Sequence, residues 1–260
     1  YLYAQWQRNS YAVIYHNNKP NNASDELFGT MQNSVHNYDI LKNLSPNQFE
    51  LLGWSFVGWN TQTDGNGTSF INEQEVKNLS SYDGDEITLF AQWVPNSYTI
   101  QYLSNKPVNA SQPLEGQTVS SLHKYDFIEN LSSNAYSLLG WKFVGWNTKA
   151  DGSGNWYTNA EKVKNITSIN RDSISLYAQW TPNIYYIEYI DNVPALASGS
   201  ISGAMSYSIH TYDTQKTLTA NGYSLPGWKF TAWNTKADGS GVEYSSSEKI
   251  LNITSTDGDI

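Results

Sequence analysis

Hydrophobic and polar residues alternate with a period of two in three short stretches set 87 residues apart. In the first, Tyr11, Val13 and Tyr15 share one side; Tyr98, Ile100 and Tyr102, then Tyr185, Ile187 and Tyr189, keep that side unchanged. The positions between them vary freely, from Ala12 and Ile14 to Thr99 and Gln101 to Tyr186 and Glu188. One fixed and one variable face predict a half-buried strand. A second alternation, over Ile87 to Trp93, sets Leu89, Ala91 and Trp93 against Phe90 and Gln92 and predicts the last strand of each copy.

Other markers keep the same step. Ala-Gln-Trp occurs at Ala4, Ala91 and Ala178; the pair Trp54 and Trp59 recurs as Trp141 and Trp146, then as Trp228 and Trp233. The segment from Trp146 to Gly154 returns unchanged at Trp233 to Gly241, and copy one departs from it only at Gln62, Thr63 and Asn66. A period of this length marks tandem structural units.

Between the two alternating strands the pattern weakens. Asn17 to Ser34 is polar and the least similar part across copies, and reads as a long loop that includes a turn of helix. A strand is expected at Ser34 to Tyr38, and Leu41 to Phe49 reads as a short helix or an irregular crossover. Gly53-Trp54-Ser55-Phe56-Val57-Gly58-Trp59-Asn60 is the most constant block; Gly58 and Gly145 become Ala232, which suggests that small size matters there more than positive φ. Asp64-Gly65-Asn66-Gly67 is a turn signal.

The expected organisation is residues 1–9 as the last strand of a preceding repeat plus a junction, then modules at 10–96, 97–183 and 184–260, the third without its final strand. Tyr1 aligns with Thr88 and Ser175, so Leu2 to Trp6 reads as a strand. Ile260 aligns with Ile87 and Ile174 if copy three lacks one residue. This phase suggests a piece of a longer array. Four residues, Pro95 among them, separate Trp93 from Tyr98, and proline stiffens such a junction. A module of this size has a radius of gyration near ~12 Å, so three in line would form an elongated rod on the order of 100 Å.

Composition narrows the function. The net charge of −9 speaks against nucleic acid and anionic lipid as partners. No apolar run approaches the ~20 residues of a membrane-spanning helix. The chain has no cysteine, so packing rather than disulfides holds it, and its 14% aromatic content sets it apart from disordered chains.

The order of aromatic strand, Gly140-Trp141-Lys142-Phe143-Val144-Gly145-Trp146, Asp151-Gly152-Ser153-Gly154 and Leu176-Tyr177-Ala178-Gln179-Trp180 resembles the Listeria–Bacteroides repeat, also called the internalin B-repeat, and the likeness covers all three copies. The resemblance implies a mainly β (α+β), β-grasp-like (ubiquitin-like) module found in tandem on bacterial surface proteins, often in stalk or adhesin segments. It carries no catalytic residues over. Two features depart from it: these repeats look longer, with extra residues between the first two strands, and copy three has Ala232 for the glycine and Pro226 for Leu52.

Candidate chemistry is sparse. His36, His123 and His210 occupy one equivalent position and read as structural imidazoles at a strand edge, bonded to neighbouring backbone. The loops at Asp64, Asp151 and Asp238 hold one acid between glycines where calcium needs six to eight oxygens, and read as turns. The Asp83-Gly84-Asp85-Glu86 cluster reads as a solvated loop. Asp39, Asp126 and Asp213 recur, as do Asp64, Asp151 and Asp238, but a glycosidase pair must share a cleft and an active site tripled at every copy is not expected. Trp54, Trp59 and Trp93 read as each module's own core; Trp156 and Tyr186, present in single copies, are the candidates for exposed contacts. Lys77 and Lys164 give way to Leu251, which argues against a lysine isopeptide bond.

No catalytic, cofactor-binding or metal site is therefore expected, and the chain is read as a non-enzyme. The leading reading is a stalk or spacer segment of a large bacterial surface protein, an adhesin, extracellular and either wall-attached or secreted. Its expected partners are the neighbouring repeats of the same chain, and it is expected to be a monomer. A direct glycan- or protein-binding module, with the 17–34 loop as contact surface, and accessory repeats of a secreted enzyme are the alternatives.

Overall fold

The computed structural model describes residues 1–260 and consists of strands, turns and loops without a helix. The chain forms two compact units, one of Tyr1–Gln101, Ser120–Leu131 and Glu161–Ile174, the other of Tyr102–Val119, Ser132–Ala160 and Ser175–Ile260. The division passes through the second 87-residue copy, so the junction of copies one and two lies inside the first unit and that of copies two and three inside the second.

Copy one carries β1 (Ser10–His16), β2 (Leu27–Phe28), β3 (Ser34–Asn37), β4 (Lys42–Asn43), β5 (Glu50–Leu51), β6 (Trp54–Asn60), β7 (Ser69–Phe70), β8 (Glu75–Val76) and β9 (Asp85–Pro95). Its main sheet has the order β3-β1-β9-β6-β7. β1 and β9, first and last in the copy, lie parallel with Tyr15 opposite Leu89; β3 flanks β1 and β6 flanks β9, both antiparallel. The inward residues predicted by the alternation are the core: Tyr11, Val13, Tyr15, Leu89 and Ala91 are buried with Trp59. Leu44, Phe49 and Val76, from the segments between the main strands, pack against them.

Those segments correct the helical expectations. Residues 17–34 carry β2, which pairs with β5, and residues 41–49 carry β4, which pairs with β8. Neither stretch has an apolar period near 3.6 to bury one helical stripe. Side chains order the loops instead. Asn18, at φ 44°, donates from Nδ2 to the carbonyls of Thr63 and Ala91, both at 2.9 Å. Asn47 accepts from the Phe49 N–H at 3.0 Å.

Gly58 marks a β-bulge: the β6–β9 register shifts between Phe56 and Gly58. Its φ is +148°, and a Cβ would lie 2.6 Å from the Phe70 carbonyl oxygen. Gly145 repeats the bulge at φ +153°, 2.9 Å from the Tyr157 oxygen. Ranking small size above positive φ does not hold for copies one and two, because both space and positive φ are demanded there. Ala232 avoids positive φ and lies outside any strand.

Copy two carries β10 (Ser97–Leu103), β11 (Leu114–Glu115), β12 (Ser121–Lys124), β13 (Glu129–Asn130), β14 (Ser137–Leu138), β15 (Trp141–Asn147), β16 (Trp156–Tyr157), β17 (Lys162–Val163) and β18 (Asp172–Pro182). Within the first unit Ser97–Ile100 of β10 pairs antiparallel with β12, and β13 with β17. Within the second, β15 pairs antiparallel with β18 and β16, and β11 with β14.

Copy three carries β19 (Ile184–Ile187), β20 (Ser208–Thr211), β21 (Lys216–Thr217), β22 (Trp233–Asn234), β23 (Glu243–Tyr244) and β24 (Lys249–Ile250). These form three separate two-stranded ladders, β19–β20, β22–β23 and β21–β24. No strand stands between β19 and β22 in the place that β9 takes between β1 and β6. Trp233 is half-buried in consequence, while Trp59 and Trp146 are at 0% exposure. Thr254 donates to Asp259 as Ser80 does to Asp85 and Thr167 to Asp172. Asp259 thus stands 87 residues after Asp172, copy three lacks no residue there, and Ile260 falls opposite Ser173 rather than Ile174. Residues 1–9 form no strand, and Tyr1, Leu2, Tyr3 and Trp6 are each at least 81% exposed. The strand expected over Leu2 to Trp6 has the composition but no ladder partner, and unpaired backbone in water gains nothing from strand geometry.

Candidate functional site

The most elaborated polar constellation lies where one module meets the next. β9 ends at Pro95 and β10 begins at Ser97, so Asn96 alone links them. Asn96 is 9% exposed; its N–H donates to the Gly53 carbonyl, its Nδ2 to the Ser168 carbonyl, and its own carbonyl accepts from the Tyr125 N–H, all at 2.8 Å. A linker bonded on three sides holds a fixed geometry.

Asp126 enters from copy two with its side chain at 0% exposure. Its carboxylate accepts from the Ser24 hydroxyl at 2.5 Å, the Ser24 N–H at 3.0 Å and the Trp54 indole at 2.9 Å, all in copy one. On its own side Asn165 donates to it at 3.1 Å and accepts from its N–H at 2.6 Å, and Lys164 stands 3.1 Å away. Burial works against the charge, but the bonds from Ser24, Trp54 and Asn165 outweigh it and hold the carboxyl well below the usual range. Beside it, burial and the Asp25 carboxylate, which accepts the Tyr125 hydroxyl at 2.8 Å, push that phenol up to about 12. The Tyr125 ring lies on Gly53: a Cβ there would be 2.1 Å from the ring, and Gly53 itself sits at φ +72°.

The second junction repeats the first. Asp213 accepts from Ser111 at 2.5 and 3.0 Å and from the Trp141 indole at 2.9 Å, and Asn252 donates to it at 2.7 Å. Burial again opposes the charge and the same donors prevail, bringing Asp213 down to about 2. Asn183 bonds Gly140, Ser255 and Tyr212 as Asn96 bonds its three partners. Tyr212 covers Gly140, whose Cβ would meet the ring at 2.2 Å. The flanking contacts differ: Lys142 pairs with Asp257 in the second junction, and Gln112 stands at the place of Asp25. Where no neighbouring module is present the same positions are more open, and Asp39 keeps only the partners of its own module, Asn78 and Lys77. The Asp39 side chain is 57% exposed, Trp228 is 49% exposed, and nothing lies within 4 Å of a Cβ on Gly227.

The recurring aspartates singled out by sequence are thus junction residues. Asp25 and Asp126 share the Ser24 hydroxyl, but the second junction has no equivalent pair. Trp54 is corrected from a module's own core to the junction cluster of Ala23, Leu51, Trp54 and Tyr125. Trp59 and Trp146 are core, ringed by Tyr15, Phe49 and Phe56 and by Tyr102, Tyr136 and Phe143. Trp93 is half-buried, edge-on to Phe56, with its indole donating to the Asn17 carbonyl at 2.8 Å.

The histidines are on strand β3 and its equivalents but are more deeply set than an edge position suggests. His36, His123 and His210 are at most 1% exposed, stack on Tyr11, Tyr98 and Tyr185, and bond a serine hydroxyl rather than backbone. Burial lowers the pKa of all three; Lys42 and Lys216 lower His36 and His210 further, while Glu129 raises His123 back in part. The Asp64, Asp151 and Asp238 loops are turns closed by bonds from the second residue on, each at 3.0 Å. Asp85 starts β9 instead of a loop, held by the Ser80 hydroxyl at 2.5 Å. Trp156 is 54% exposed, and Tyr186 packs edge-on to Tyr207. No group of three or more His, Cys, Asp and Glu side chains is placed to hold a metal ion. The junction serines and asparagines went unread in the sequence; their signal was retention at the 87-residue step, as in Ser24 and Ser111 or Asn96 and Asn183.

Tandem β-modules joined by a repeated polar lock define a repeat protein. The Listeria-Bacteroides repeat domain model matches residues 11–92 and 98–179, and the chain belongs to that family. It is similar to two proteins of Evansella cellulosilytica. One, provisionally named a Gly-rich membrane protein, is 31% identical over 54% of this chain and 15% of its own length. The other, provisionally named a membrane protein, is 27% identical over 94% of this chain and 31% of its own length. The chain therefore spans less than a third of either relative. No helix here is long and apolar enough to cross a membrane.

Proposed function

We propose that these modules are non-catalytic spacer repeats of a large bacterial surface protein, which set a distal binding domain away from the cell. The observation that carries this reading is the junction itself: the same donors, carboxylate and ring-on-glycine contact recur one period later with nearly equal distances. A step that repeats with fixed geometry propagates along an array, and array stability is then a sum of module and junction contributions. The module is read as a β-grasp derivative that has lost its helix, since β3-β1-β9-β6-β7 with a parallel β1–β9 pair is the strand order of that fold. Family membership and the names of the relatives support placement at the bacterial surface.

Small-angle scattering from single copies of the chain tests the reading. Three modules in line should give a maximum dimension on the order of 100 Å, whereas a radius of gyration near ~18 Å, that of a compact body of this length, would overturn it. An adhesive role is favoured by one observation, the exposed Trp156, whose ring lies 3.6 Å from the Cβ positions of Gly145 and Gly152. Sugar binding that Trp156→Ala abolishes on a glycan array would establish that second reading.

A further inference from the structure

Strand order fixes how tension crosses a module. Copy one begins on β1 and ends on β9, and these strands are neighbours inside the sheet, parallel over the register from Tyr11 opposite Asp85 to His16 opposite Phe90. The chain enters the copy at Ser10 and leaves it at Pro95, at opposite ends of the ladder, roughly 33 Å apart along β9. Drawing those two points apart slides β1 against β9 along their shared axis. The bonds of a parallel ladder are evenly spaced, so sliding strains all of them together and none opens ahead of its neighbours. β3 covers the outer edge of β1 and β6 that of β9, and Tyr11, Val13, Tyr15 and Leu89 are buried on one face. Water is thus kept from the ladder on three sides, where it would otherwise replace each strained bond.

The end of β1 that takes the pull is fastened. Asn9 Nδ2 donates to the Ser81 carbonyl at 2.9 Å, Ser10 N–H to the Asp83 carboxylate at 2.9 Å, and Gly84 N–H back to the Ser10 carbonyl at 2.8 Å. The same three bonds recur around Asn96 and Ser97, and again around Asn183 and Ile184, so every copy pins its incoming strand in one way. Asn96 is also the whole linker between β9 and β10. One residue spans at most ~3.6 Å, so this linker has no slack to take up tension before it reaches the strands. We infer that copy one is a tension-bearing link: its β1–β9 ladder is a shear clamp that holds the module at its folded length under a pull along the chain. The direction of that pull rests on the spacer reading above; the resistance is a property of the module itself.

Single-molecule force spectroscopy on the full chain tests this, and the absence of cysteine lets handles be placed by substitution. Arg8→Cys with Val94→Cys pulls along the chain direction. Arg8→Cys with Tyr82→Cys pulls apart the adjacent ends of β1 and β9 and opens the same ladder bond by bond. All three positions are exposed. At one loading rate the first pair should need about twice the force of the second or more, because it strains the ladder bonds together. The first pair should also yield in a single step of about 260 Å, the length of the extended segment less that of the folded module. Equal forces along the two axes, or gradual lengthening of the first pair at low force, overturn the inference. A strong first pair in a chain whose scattering is compact keeps the clamp and removes the spacer reading; an elongated chain with equal forces does the reverse.

Discussion

Asp39 and Asp126 are the same residue of the repeat in two environments. Asp126 is enclosed by Ser24, Trp54 and Asn165; Asp39 has Asn78 and Lys77 and is largely in water. Asp126→Ala strips buried donors of their acceptor and should cost about 1–3 kcal/mol, whereas Asp39→Ala should stay within about 0.5 kcal/mol, both read from urea midpoints. Gly53 and Gly227 make a second internal control. Their φ values, +72° and +78°, strain an alanine alike, but only at Gly53 would the new Cβ strike a ring. Gly53→Ala should therefore destabilise more than Gly227→Ala, and the difference measures the module–module contact alone; equal losses would show that Tyr125 does not bear on Gly53 in solution.

The elements show what a missing ladder partner does. β15 runs over seven residues against β18, but its equivalent β22 has two, although Trp228-Lys229-Phe230 repeats Trp141-Lys142-Phe143 without change. Identical local sequence thus gives a long or a short strand according to whether a neighbour supplies backbone partners. Core aromatics follow the same rule. Trp59→Ala should cost about 3–5 kcal/mol, because a fully buried ring leaves a cavity that the sheet cannot close. Trp233→Ala should cost distinctly less, since its side chain is only partly buried. Chemical denaturation of both variants checks this; equal costs would mean that copy three is as well packed as copy one.

Acid response belongs to the whole molecule because it sums modules and junctions. A histidine buried as the neutral form has a folded pKa below its unfolded value near 6.5, so the unfolded chain takes up protons first and stability falls as pH drops below about 6.5. Nuclear magnetic resonance titration should find His123 protonating at higher pH than His36 and His210, because it faces Glu129 where they face Lys42 and Lys216. The junctions respond at lower pH. Asp126 and Asp213 carry depressed pKa values, so their contribution is complete above about 4, the unfolded carboxyl value, and fades as pH falls toward the folded one, about 2 for Asp213. Hydrogen exchange at the Trp54 and Trp141 indoles should therefore stay slow through pH 5 and quicken below 4. Quickening between pH 7 and 5 would place the lock elsewhere.

The sequence by itself determined the period, the fixed face of β1 and β9, the Trp59 core position and the turns at Asp64, Asp151 and Asp238. Those features depend on residues near in the chain or on a hydrophobic pattern that must be buried wherever the strand goes. It did not separate Trp54 from Trp59, since both are constant large rings and only the approach of Asp126 and Tyr125 from the next module distinguishes a joint from a core. Nor did it show that residues 27–28, 42–43 and 50–51 would pair as short strands, because two-residue ladders leave no periodicity to read. The tertiary structure decided which copies of one repeated residue are enclosed and which stand in water, and the reason is physical: a carboxylate, a glycine or a strand edge acquires its role only from the partner brought against it, here from most of a module away.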